Sequence, residues 1–261
     1  YGYCAIPENK TLTIQAGAQL HFHSNSGLMV DKNASLIIEG ELNNEVLIEG
    51  DRLEPQFNNI PGQWGTIWLR AGSKNNYINN TIIKNGSIGI LTDSIGSNSS
   101  PTLTIKNTQI YNNSYYGILG RETSIDGENI VINNSGQASL ACTIGGTYNF
   151  KHSTFTNFWN DSFRESPSVL INNYFSYFDN NSAIVETRDL IAANFINCII
   201  DGSNNIELII DKVEGSMFNY SFKNNLIKFN DYNNLYTIVP EYDFENTSYF
   251  NENIFNFYLK P

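Results

Sequence analysis

Charged and aromatic side chains that could act together fall into three short clusters. Asp51, Arg52 and Glu54 come first, with Trp64 and Trp68 soon after; Asp161, Arg164 and Glu165 follow, closed by Pro167; Glu186, Arg188 and Asp189 form the third. A guanidinium among carboxylates bonds hydroxyl groups, and an indole face stacks on a sugar ring. The same residues have a second reading, in which the arginine pins a loop and the tryptophans plug the core. His21 and His23 flank Phe22, so both point to one side of a strand. Such a pair can share a metal, but no acid near in sequence completes the set, and exposed strand histidines are expected. His152 stands where similar segments carry Asn or Gly and is expected to bond at a corner. Cys4, Cys142 and Cys198 are too few and scattered for a disulfide framework or a zinc knuckle. Cys142 and Cys198 sit in apolar contexts that suit small buried hydrophobes, with no flanking base to activate a thiol. No metal and no other cofactor is expected.

The elements that must position these residues are β-strands. The chain has 261 residues, 41% of them hydrophobic and only 16% charged, so its polar surface comes from elsewhere. It comes from 40 Asn, with eleven Asn-Asn doublets. Asn is a poor helix former, and 13% aromatics argue against disorder. A net charge of -11 speaks against nucleic acid as a partner and against anionic surfaces met over a broad area, while leaving room for a local basic pocket. No apolar run reaches membrane-spanning length.

Apolar pairs with one residue between them fall at Leu12/Ile14, Leu20/Phe22, Leu28/Val30, Leu36/Ile38 and Val46/Ile48. The first four are spaced by eight residues, with Gly, Asn and Ser in the gaps. Strands this short are best satisfied by a coil of three strands per turn, which stacks Leu12 on Leu36. Further on, a phrase of aromatic or Ile, x, Asn or Gly, x, x, apolar begins at Ile78, Ile105, Ile125, Phe150, Phe195 and Phe222. The 45 residues between Phe150 and Phe195 fit two turns if Val169–Asn173 is a slipped copy. Asn at such corners tolerates the left-handed conformation and can bond its neighbour in the next turn, forming a ladder.

This pattern resembles the right-handed parallel β-helix of the pectate-lyase-like superfold. More narrowly, it is similar to β-helix-repeat surface lipoproteins of Bacteroidota-type bacteria. The likeness rests on I-P-E-N-K-T-L-T-I-Q-A-G-A-Q-L-H-F at 6–22, I-E-G-D-R-L-E at 48–54, G-Q-W-G-T-I-W-L at 62–69, Asn-Cys-Ile-Ile at 197–200 and N-F-Y-L-K-P at 256–261. The resemblance implies an all-β fold, a single β-helix domain over 1–261 of about ten rungs. At an inter-strand spacing of about 4.8 Å it would be about 50 Å long. Insertions are expected at 51–63, 159–167 and 179–192, with a capping region from about 229. The superfold's enzymes also set a test that the chain does not meet. No Arg stands in an R-x-P-x-x-R setting, no His is flanked by Gly as in G-H-G, and Y-G-x-D-P-H is absent.

The expected function is therefore a non-catalytic scaffold or binding module at the cell surface or outer membrane of a Gram-negative bacterium. Its partner would be a glycan or an envelope protein complex. The alternative is a polysaccharide lyase or glycoside hydrolase with an unrecognised site. Binding is expected on the flank carrying the first two insertions, through Arg52, Trp64 and Arg164, because Trp and Arg dominate hot spots. An extracytoplasmic address follows from the resemblance and from Asp93-Ser94-Ile95 and Asp161-Ser162-Phe163, which resemble a bacterial O-glycosylation signal. Sequons such as those at Asn9, Asn33, Asn79 and Asn98 arise by chance in an Asn-rich chain. The opening Tyr1-Gly2-Tyr3-Cys4, without an initiator Met, reads as that of a mature or trimmed fragment, with any lipid anchor lying outside it.

Overall fold

The computed structural model describes residues 2–96, 100–179 and 182–256. The sequon at Asn98 and the closing phrase from 257 onward lie outside the described residues. The chain coils into a solenoid whose three faces are visited in turn. In the first turn they are Tyr3–Ile6, Thr11–Gln15 and Gln19–Phe22; in the second they are Gly27–Val30, Ser35–Glu39 and Val46–Gly50. The pairings between these two turns are parallel, and Leu12 registers with Leu36 and Ile14 with Ile38. The apolar pairs point inward, and Val30, Leu36, Ile38, Val46 and Ile48 are fully buried. Alternation puts their neighbours on the outside, so each face offers an outward row of variable residues.

Faces one and two merge into a 15-stranded sheet, whereas face three is a separate 9-stranded sheet. The merger occurs because Tyr116–Glu128 and Leu140–Lys151 run through the corner without a loop. That corner is turned by Glu122 at φ 51° and by Ile144, Gly145 and Gly146 at 61°, 71° and 115°. A β-branched residue in this region is sterically costly, and Ile144 is held there by its N–H bond to Asn172 Oδ1 at 2.8 Å.

The opposite corner, between faces two and three, is the asparagine corner. Asn80, Asn107, Asn129, His152, Asn197 and Asn224 take φ between 44° and 56°. Asn107 donates to Asn79 and Asn129 to Asn107, each at 2.8 Å, and Asn197 lies 3.4 Å from His152 Nδ1. His152 is thus the corner bonder its position indicates. Cys198 lies just after this corner, where other turns place Thr108, Ser153 and Asn225, and is buried like Cys142. Burial pushes the Cys142 thiol well up and the Cys198 thiol up to about 11.

Two expectations about the repeat need correction. The copy starting at Ile125 is out of step, because Ile105 registers with Gly127 and not with Ile125. Gly127 stands where other turns have a large apolar residue, and Phe150 of the next turn occupies the space: a Cβ there would meet Phe150 Cδ1 at 2.4 Å. The 45-residue gap is also a single turn, since Phe150 pairs directly with Phe195. Val169–Asn172 belongs to face one, paired with Leu140–Cys142. The extra length is spent partly on an antiparallel hairpin, Tyr174–Asp179 with Ser182–Thr187, at the corner between faces one and two. This hairpin is the third insertion, beginning earlier than 179.

Past Phe229 the chain leaves the coil for an irregular stretch containing a 3-10 turn, Pro240–Tyr242. Tyr242 exchanges hydrogen bonds with the backbone of Ile210, 2.8 Å from its N–H and 3.0 Å to its carbonyl, along the exposed edge of the face-one strand Leu208–Asp211. Phe229, Tyr236, Tyr242 and Phe244 pack edge to face over the core end. The chain then adds Phe250–Asn251 and Ile254–Phe255 to faces two and three.

Candidate functional site

The outer surface of face two carries two rows of side chains in strict register. Thr104, Asp126, Asn149, Asn194 and Ser221 form the first, and Lys106, Glu128, Lys151, Ile196 and Lys223 the second. Between them runs a groove of about 470 Å³. Asn149 donates to Asp126 and Asn194 donates to Asn149, both at 2.9 Å, so carboxylate and amides form a polar track along the solenoid axis. Strand spacing sets the interval of this track at roughly 4.8 Å.

Charge in the groove departs from that of the whole molecule. Three lysines and two carboxylates line it in a chain of net charge -11. Lys106 Nζ donates to Glu128 Oε2 at 2.8 Å. That bond raises the Lys106 pKa and lowers that of Glu128. A general acid at neutral pH needs its carboxyl raised, and a lysine base needs its amine lowered. Both shifts run the other way, so the pair stays charged at neutral pH.

Arg52, Trp64 and Arg164, the three residues expected to bind, are not brought together on a surface. The 51–63 and 159–167 insertions do share a corner, since both leave face three and re-enter face one. Arg52 is exposed there, 3.3 Å from Glu54 and stacked 3.7 Å above the Phe57 ring. Trp64 is instead 1% exposed, stacks on Phe22 and donates to Lys84 O at 2.8 Å. It plugs the core where the chain returns inward at Gly65, where a Cβ would meet the backbone oxygen of Ser26 at 2.8 Å. Arg164 is also buried, with both arms on Glu207 at 2.7 and 3.0 Å and a further bond to Asn157 O. Glu207 completes its shell with Ser168 N and Oγ and Asn204 N. Arg164 is a strut under its loop.

Several of the remaining sequence candidates are paired, mostly with residues of a neighbouring turn. Trp68 donates to Asp93, which also receives Arg121 at 2.8 Å. Arg188 lies 2.9 Å from Glu186 and 3.6 Å from Glu122. His21 and His23 each meet an acid from the next turn, Glu49 at 3.5 Å and Asp51 at 2.8 Å. Among the described residues no group of three or more His, Cys, Asp or Glu is arranged to hold a metal. The groove residues were missed by the sequence reading although they occupy one recurring position. Lys106, Lys151, Ile196 and Lys223 are all the second residue of the recurring phrase.

Fold and groove together define a parallel β-helix protein with a polar track on one outer face. Residues 12–155, more than half of the chain, match the family model described as right handed beta helix region, and the chain belongs to that family. No curated protein and no solved structure matches it. Among the described residues no helix is long and apolar enough to cross a membrane.

Proposed function

We propose that this protein is a non-catalytic binding module whose face-two groove takes an extended glycan. The observation that carries the reading is the Asp126–Asn149–Asn194 track. It presents hydrogen-bonding groups at a repeat of roughly 4.8 Å, which suits a polymer with regularly spaced hydroxyls. Lys151 and Lys223 add positive charge beside it, which favours glycans carrying carboxylates or sulfates. The Lys106–Glu128 pair supports binding over turnover, for the reason given above. Titrating a panel of neutral and acidic glycans into wild-type protein and into the Asn149→Ala/Asn194→Ala variant tests this. Loss of binding in the variant, with unchanged circular dichroism, is expected.

The proposal includes a cell-surface or outer-membrane address. Its support is the family resemblance in the sequence and the exposure of Asp161, Ser162 and Phe163, the last 86% exposed, which leaves an acceptor hydroxyl accessible. Fractionation of native cells with protease shaving checks it. Recovery of uncleaved protein from the cytoplasm alone would refute the address.

A further inference from the structure

The 51–63 insertion sets the carboxamide of exposed Asn58 against a buried amine and a buried carboxylate on the wall of face three, none of them used in glycan binding. Lys84 ends the strand Thr81–Lys84 and is 8% exposed; Glu49, one turn earlier on the same face, is 9% exposed. Lys84 Nζ lies 2.9 Å from Glu49 Oε2 and donates to Asn58 Oδ1 at 2.8 Å. Asn58 follows the 3-10 turn Pro55–Phe57, and its backbone is tied on both sides. Its N–H reaches Pro55 O, and its carbonyl accepts Asn85 Nδ2 at 3.0 Å. Gln63 Nε2 clamps Phe57 O and Ile60 O at 2.6 and 2.7 Å. Glu49 is steadied from its other oxygen by His21, 3.5 Å away.

We propose that Lys84 and Asn58 join in an intramolecular isopeptide bond, with Glu49 relaying protons. Glu49 takes a proton from the Lys84 ammonium, and the freed Nζ lone pair attacks Asn58 Cγ. The tetrahedral adduct loses a second Nζ proton, the Cγ–Nδ2 bond breaks, and the leaving nitrogen collects both protons to depart as ammonium. The Nζ–Cγ amide is formed, Glu49 ends ionised as it began, and neither oxidant nor cofactor is consumed. The product staples the first insertion to the solenoid wall. It closes a covalent loop from 58 to 84, a constraint that acts mainly on the unfolded chain.

Intact-mass spectrometry of the purified full chain tests this directly. The wild-type protein is expected one ammonia lighter than its sequence, with a branched peptide joining the Asn58 and Lys84 segments after digestion. Asn58→Ala and Lys84→Arg are expected at their full sequence masses. Glu49→Gln is expected to form the bond about 100-fold more slowly or worse, the loss typical of a missing proton relay. Wild-type protein that keeps its full sequence mass after long incubation while folded overturns the proposal. So does an ammonia loss that persists in Lys84→Arg, which would mark a succinimide at an asparagine instead.

Discussion

Arg164 shows how burial changes what a residue is for. In sequence it is one of five arginines, set between Phe163 and Glu165, but its partner is Glu207, 43 residues on. Both side chains are almost fully enclosed, at 2% and 0% exposure. Arg164→Ala strands the Glu207 carboxylate in the interior and should cost about 3–5 kcal/mol in denaturant unfolding. Replacing both members with apolar residues would still leave Ser168 N and Asn204 N without their acceptor, so that variant should not recover the loss. Tyr174 illustrates a half-buried case. Its bond to Asp211 at 2.6 Å, together with partial desolvation, pushes the phenol up from 10.0 to about 12. A pKa raised in the folded state contributes stability that is complete below pH 10 and fades as pH climbs through 12. Tyr174→Phe should therefore lose about 1 kcal/mol near neutrality and decline less steeply than wild type across that alkaline window. Equal declines in urea melts across pH 9 to 12 would show that the Asp211 bond contributes nothing.

At the scale of strands and corners, what was legible depended on which side of the sheet carried the pattern. Inward pairs such as Leu12/Ile14 and Leu36/Ile38 are apolar in the opening turns, so their 24-residue repeat shows in the sequence, whereas the next turn sets a buried Asn76 beside Leu36. Asn107, Asn129 and His152 were legible for a backbone reason, since few residues accept a positive φ. The slip at Ile125 was not, because Gly127 and Phe150 trade volume across turns and neither alone looks like a repeat. The hairpin Tyr174–Thr187 was hidden for a similar reason, as its length mimics an added turn. Among the described residues Ile144 is the one β-branched side chain at positive φ. Ile144→Asn, which tolerates φ near 60° and leaves the N–H bond to Asn172 in place, should raise stability by about 1 kcal/mol. A fall in Tm would mean that packing of the isoleucine outweighs its strain.

Over the whole molecule, the solenoid fixes one thing about function: outward residues of successive turns are brought into register. Thr104, Asp126, Asn149, Asn194 and Ser221 span over a hundred residues of sequence yet form one row. This row is hard to see in the sequence, because outward positions are free to vary and the 159–167 loop and the Tyr174–Thr187 hairpin lengthen one turn. On the expected binding flank Arg52 is exposed, whereas Trp64 and Arg164 are buried. Trp64 and Arg164 are the residue types that anchor interfaces, and the same properties make them good plugs and struts. Binding and cleavage followed together on one sample test the central claim most directly. A glycan that binds should be incubated with the protein, with and without calcium, and its chain length measured alongside the binding isotherm. Retained binding with unchanged chain length, lost in Asn149→Ala/Asn194→Ala, is the predicted result. Shortened or unsaturated products, or binding that the double variant leaves intact, would contradict it.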